Sequence, residues 1–258
     1  MNRGFMRDFT FEIYKKMLEE FLNFGYEFIT VEEYFTSDIN PEKKYLLMRH
    51  DVDRKPLNSL AMAKLESELG VRVTYYFRTI KQTFKPEIIA DIASLNHEIA
   101  YHYESLAEAG GDYEKAIKDF EDNLGKLRQI YPIKNIAMHG RPTSKWDSRK
   151  LWEKYDYRKF GLLSEPYFDI DFNKVLYLTD ASRSWDNSSF NLRDKVDSSF
   201  NFNYKHTQEI IDSLKSGSFP NVVMFNIHPE HWSSNSYEWY KTFTARKVKN
   251  SIKRVIIR

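Results

Sequence analysis

Four short apolar runs along this chain each end in a cluster of histidine and carboxylate, with stretches of helical spacing between them. Lys44 to Met48 leads into Arg49-His50-Asp51-Val52-Asp53, and Glu98 to Tyr101 into His102-Tyr103-Glu104. Ile133 to Met138 leads into His139-Gly140-Arg141-Pro142, and Asn221 to Ile227 into His228-Pro229-Glu230-His231-Trp232. Leu57 to Leu69, Pro86 to Leu95, Asp112 to Ile130 and His206 to Lys215 have the apolar spacing of helices. Strand alternating with helix predicts an α/β fold, a parallel sheet with helices outside, closed as a barrel or open and doubly wound. In both, function sits at the carboxyl ends of strands, so His50, His102, His139 and His228 are expected on one rim with the paired aspartates.

The flanks extend the pattern. Phe11 to Phe24 reads as a helix stopped by Gly25, Tyr26 to Val31 and Val71 to Phe77 as strands, Ser148 to Lys154 as helical, and Trp239 to Ile256 as a closing helix. Phe160 to Asp186 is rich in aromatics and aspartates, with an apolar piece at Val175 to Leu178. No repeat, low-complexity segment or Gly/Pro-rich linker interrupts the chain, which predicts one domain over residues 1–258 with its motifs between about 44 and 232.

Composition narrows the chemistry. With 39 basic and 37 acidic side chains there is no global field for nucleic acid, and the basic residues from Arg246 to Arg254 are interleaved with apolar ones as on a solvated helix face. The absence of cysteine excludes disulfides, zinc-thiolate sites and a cysteine nucleophile, so any metal rests on His, Asp or Glu. No segment approaches about 18 apolar residues and the N-terminus lacks a signal-peptide core. The expectation is a soluble, cytoplasmic protein with no membrane span and no nucleic-acid partner.

A single strand-end aspartate is usually a helix cap or turn residue, and a lone histidine beside aromatics usually packs. Coincidence at four strand ends favours a site. Asp and His form an N/O shell suited to zinc, and also to cobalt, nickel, manganese or iron. A water on such a metal loses a proton near neutral pH. Two aspartates one residue apart can divide the work, one holding the metal and the other taking a proton, with an arginine nearby keeping the free one ionised. A histidine across the rim can protonate a leaving amine. That chemistry is metal-assisted amide hydrolysis.

The order of these motifs resembles the polysaccharide deacetylase superfamily, the NodB-homology domain of carbohydrate esterase family four, from about Lys44 to Trp232. His50-Asp51-Val52-Asp53 resembles its first motif, and Asn96 through Glu104 its second. His139-Gly140-Arg141-Pro142 resembles the Arg/Pro element, Asp180 through Trp185-Asp186 the Asp/Trp element, and Ile227-His228-Pro229 the last. The nearest likeness is to the uncharacterised His-Asp-Val-Asp branch found with O-antigen and lipopolysaccharide biosynthesis. The resemblance implies a distorted (β/α)7 barrel, a divalent metal with zinc foremost, Asp51 as base, Asp53 and His102 as ligands, and His228 as acid. Where the parent motif has a second histidine this chain has Leu106, so the third ligand is His139 first and Glu104 second, with His228 the other way to complete the shell. Glu104, Arg141, Trp185 and Trp232 are the expected supporting or substrate-binding residues, although such tryptophans, like Trp146, more often pack. His97 reads as structural and His231 as a surface neighbour.

Three functions compete. The first is removal of an N-acyl group from an acetamido sugar or sugar precursor in surface-polysaccharide synthesis, in association with other enzymes of that synthesis. The second is an amidase or deformylase on a non-sugar C–N bond, with or without a metal. The third is a degenerate sugar-binding scaffold, supported by the loss of the second-motif histidine.

Overall fold

Strand and helix alternate from the first described element onward in this computed structural model, which describes residues 7–141, 144–185 and 195–244. In chain order the elements are α1 (Phe11–Asn23), β1 (Tyr26–Ile29), α2 (Val31–Thr36), β2 (Lys44–Val52), α3 (Pro56–Glu68), β3 (Thr74–Phe77) and α4 (Pro86–Ser94). They continue with β4 (Glu98–Tyr103), α5 (Ser105–Glu108), α6 (Tyr113–Arg128), β5 (Ile136–Met138), α7 (Leu151–Lys154), α8 (Pro166–Asp169), β6 (Leu176–Thr179), α9 (Thr207–Lys215) and β7 (Val222–Ile227). A last helix covers 236–244, and the rest of the expected closing helix lies outside the described residues.

The expected distorted (β/α)7 barrel is present as one curled sheet of seven parallel strands in the order β5-β4-β3-β2-β7-β6, with β1 added to β2. β1 pairs with Lys44 to Leu47 and β3 with Arg49 to Val52, so the two share one edge of β2 in succession while β7 takes the other. The β5 edge is covered by an irregular segment, where Ile136 N–H donates to Ser164 O and Leu163 N–H to Lys134 O. Among the described residues no ladder joins that segment to β6.

Alternation along the strands sorts two cores. Leu46, Met48, Tyr75, Phe77, Ile99, Tyr101, Val223 and Phe225 face the helix layer. Tyr45, Leu47, Tyr76, Ala100, Ala137, Tyr177 and Met224 fill the barrel interior, where alanines make room for the tyrosines. The helices join the outer core by spacing: α1 buries Ile13, Tyr14, Met17, Leu18 and Phe21, each large apolar side chain stabilising by about 1.5–3 kcal/mol.

Some boundaries move, each for a local reason. The strand expected from Tyr26 to Val31 stops at Ile29, because Thr30 caps α2: its Oγ1 accepts Glu33 N–H at 3.1 Å and Glu33 Oε2 accepts Thr30 N–H at 2.8 Å. β2 and β4 instead run longer than their apolar runs, taking Asp51 and His102 into the ladder. The aromatic, aspartate-rich stretch folds as α8 and β6.

Candidate active site

Period two carries the interior face of β2 from Leu47 to Arg49 and Asp51. Arg49 is fully buried, its guanidinium 4.9 Å from the Tyr76 ring centre and 5.2 Å from that of Tyr167. It grips Asp51 with two bonds, Nε to Oδ1 at 2.6 Å and Nη2 to Oδ2 at 2.7 Å. Burial pushes the Asp51 carboxyl up, but Arg49 and His102 more than offset it, so Asp51 is held ionised below its ordinary value.

Past Val52 the chain bends, Asp53 N–H donating back to Asp51 O at 3.0 Å, and this turn keeps both carboxylates on one side. His102, interior on β4, has Nδ1 at 2.9 Å from Ala137 O and Nε2 at 3.5 Å from Asp51 Oδ2 and 3.4 Å from Asp53 Oδ1. His139, past β5, has Nδ1 at 2.8 Å from Glu104 Oε2 and Nε2 at 3.3 Å from Asp53 Oδ2. Arg78 holds Glu104 through Nε, at 2.9 Å, and Nη2. Burial raises Glu104, but the hydrogen bond from His139 and the charges of His139 and Arg78 bring it down to about 2.

A carbonyl and a carboxylate can only accept, so in both rings Nδ1 is the donor and Nε2 faces Asp53. Metal-binding histidines are held this way, the second nitrogen anchored to a carbonyl or carboxylate. Asp53 Oδ1 is shielded from solvent and has no hydrogen-bond partner. Burial lowers His139 but Asp53 and Glu104 outweigh it and push the ring up to about 9, so a positive charge is favoured between these groups. Asp53, His102 and His139 therefore present donor atoms of the type a divalent cation takes, although among the described residues they are not a group whose ligand atoms all lie within 4.8 Å of one another.

A third group completes the rim. Asp180, just past β6, accepts His228 N–H at 3.0 and 3.1 Å, His228 Nδ1 at 2.7 Å and Trp232 Nε1 at 2.7 Å. Burial opposes a charged His228, yet its hydrogen bond to Asp180, and the charges of Asp180, Asp51 and Asp53, raise it well above the ordinary histidine value. Among the described residues, ligand atoms of Asp180, His228 and His231 all lie within 4.8 Å of one another, a spacing that admits a metal. The lone pairs of Asp180 are already engaged by four N–H contacts, which suits a carboxylate that orients and charges His228.

The structure thus brings Asp51, Asp53, His102, His139, Glu104 and His228 together, and parts them from other expected residues. His50 does not join the rim: lying between Arg49 and Asp51 it points to the helix layer, its Nε2 at 2.7 Å from Glu66 Oε1. Arg141 is partly exposed and ion-paired with Glu108. Trp185 is buried against Phe9 and Phe225 with Nε1 on Thr207 Oγ1, so it offers no face to a sugar. Trp232 is also fully buried, and supports the site by holding Asp180. His231 is not on the surface but buried, with Nδ1 at 3.1 Å from Asp180 O. His97 lies under α3 with Nε2 on Ala63 O, Leu106 is core, and Asp186 and Pro142 lie outside the described residues. Arg78 was not among the expected residues, and Asp180 was expected only as part of the Asp/Trp element. A basic residue directly after a strand was the one available signal for Arg78.

No protein-family profile matches the chain, and neither does any curated protein. Solved structures do resemble it. A family 4 carbohydrate esterase from Bacillus anthracis superposes with TM-score 0.42 at 12% identity, over 86% of this chain and 93% of that one. The catalytic domain of a peptidoglycan N-acetylglucosamine deacetylase from Eubacterium rectale gives 0.45 at 19%, over 83% and 89%. A family 4 pseudoenzyme, also from Bacillus anthracis, gives 0.45 at 11%, with 81% of this chain on only 63% of that one.

Proposed function

We propose that this chain is a divalent-metal-dependent hydrolase that removes an N-acyl group, acetyl in the simplest case, from an acetamido sugar or sugar-linked precursor. The observation that carries it is the pair of imidazoles, His102 and His139, each anchored at Nδ1 and presenting Nε2 to the half-buried carboxylate of Asp53. Zinc is the first choice for these donors, with cobalt, nickel, manganese or iron the alternatives. When bound, the ion supplies Lewis acidity toward an amide carbonyl and toward water.

The chain's own groups do the rest. Asp51, ionised and oriented by Arg49, takes a proton from water as its oxygen attacks the acyl carbon. His228, protonated and turned by Asp180, gives a proton to the sugar nitrogen as the C–N bond breaks. Glu104 and Arg78 keep the His139 ring in place. The products are a carboxylic acid and an amino sugar. The sugar, and a place in surface-polysaccharide synthesis, are supported by the order of the motifs alone.

Acetate release from a panel of acetamido sugars and their nucleotide-linked forms, with zinc, cobalt or nickel added, tests the reading. Turnover that needs the metal and is lost in Asp51→Asn is the expected result. Full metal loading without turnover of any member, with Asp51→Asn indistinguishable from wild type in a wider amide screen, sinks it.

A further inference from the structure

The last helix, 236–244, stands at the end of the barrel where the strands finish. Asn235 caps it, its Oδ1 accepting Glu238 N–H at 2.9 Å, and Glu238 meets Lys55, the residue before α3, at 3.2 Å. Because α3 follows the carboxyl end of β2, the helix borders the mouth that holds Asp51 and Asp53. One face is fixed inward: Trp239 Nε1 donates to Asp8 O at 2.6 Å, and the stacked rings of Trp239 and Phe243 both lie under the Arg183 guanidinium. Tyr237 and Tyr240, three residues apart, share the other face and are 74% and 53% exposed. Leu57, two residues past Lys55, is 70% exposed. These are the three most exposed large apolar side chains among the described residues, and all three border the mouth.

Cations flank them. The Arg7 guanidinium lies 5.0 Å from the Tyr240 ring centre, and Lys241 Nζ lies 6.0 Å from that of Tyr237. Charge along the chain is just as uneven: residues 236–258 hold seven basic side chains against Glu238 alone, so the remaining 32 basic and 36 acidic side chains leave the rest of the chain net negative. Exposed tyrosines and an aliphatic side chain beside concentrated Lys and Arg suit an anionic headgroup layer, where the rings sit at the interface and the cations meet lipid phosphates. The aliphatic residues between Val248 and Ile257 keep that mixture, and such side chains insert among acyl chains but do not stack on bases.

We propose that this surface docks the chain on an anionic lipid membrane, lying in the interface without crossing it, with the mouth of the barrel turned toward the headgroups.

Cosedimentation of the full chain with vesicles of equal parts phosphatidylglycerol and phosphatidylcholine, and with vesicles of phosphatidylcholine alone, tests it. Wild type is expected to bind the anionic vesicles, to bind the neutral ones far more weakly, and to be released by high salt. The double substitution Tyr237→Ser with Tyr240→Ser should weaken binding at least about tenfold, and Lys241→Ser about fivefold, each with an unchanged circular dichroism spectrum. Wild type that ignores anionic vesicles, or a folded double variant that binds them as wild type does, overturns the proposal. Sedimentation equilibrium without lipid covers the rival occupant: a dimer abolished by the tyrosine substitutions, in a chain that binds no vesicles, assigns the face to a second copy and overturns it too.

Discussion

β2 carries buried carboxylate chemistry on both faces, one residue apart, and the two clusters are built to opposite ends. On the helix side both oxygens of Glu66 are engaged: His50 Nε2 and the Tyr14 hydroxyl meet Oε1, and the Tyr75 hydroxyl donates to Oε2 at 2.7 Å. All four residues are buried among the outer core. On the interior side Asp53 keeps an oxygen without a partner and is faced by two anchored imidazoles, while Asp51 is tied to Arg49. A saturated buried carboxylate holds structure together, whereas one with an unpartnered oxygen facing anchored nitrogens is where the proposed cation would sit.

Substitutions on the two faces should therefore separate rate from stability. The largest effect is expected from Asp51→Asn, a fall in acetate-release rate of about 10²–10⁴ per folded molecule. Normalising to folded protein matters, because the change also unpairs buried Arg49. Glu66→Gln should do the reverse, costing about 3–5 kcal/mol in urea unfolding at pH 7, as for a broken buried pair, with turnover per folded molecule within about twofold. A Glu66→Gln protein that is stable but inactive would erase the contrast.

Acid sharpens it further. Burial raises Glu66, but His50, His97 and the Tyr14 hydroxyl together lower it by more, and its folded value lies below the ordinary one. Its contribution is thus fully present above pH about 4.3 and is lost as pH falls through the depressed folded value. The stability gap between wild type and Glu66→Gln should shrink below pH 4, measured by urea unfolding across pH.

His228 runs the other way. Its folded value is raised, so the protonated acid and the stability it brings are fully present below pH about 6.5 and are lost only as pH rises through the raised value. In Asp180→Asn the alkaline limb of the rate profile should move down toward or below pH 6.5, since burial then acts with less opposition. An unmoved limb would remove His228 as the acid. The smallest change is expected from Trp232→Phe, which takes one of the N–H donors of Asp180: about 1.5 kcal/mol of stability and no more than about tenfold in rate.

Much of this was legible along the chain because strand alternation and strand-end position are local. Asp51 and Asp53 followed from β2, His102 from β4, His139 from β5 and His228 from β7. His50 was misplaced for the same local reason read one step short, since a residue between two interior side chains must face outward. Arg78 and Asp180 stand at strand ends like the others, but what each one does is set elsewhere in the chain. Each matters through a partner far off in sequence, Glu104 for Arg78 and His228 for Asp180.

The residue types and their spacing alone determined a parallel α/β sheet with helices outside, closed or open, a site at its strand ends, and a donor set of nitrogen and oxygen without cysteine sulfur. Tertiary packing decided which of those donors meet. Curling the sheet brings β5 and β7 to the same rim from opposite sides of β2 and buries Trp185 and Trp232, two of the tryptophans offered for stacking on a sugar. Periodicity is written into a strand one residue at a time, but the pairing of charges depends on distances that exist only once the barrel has formed.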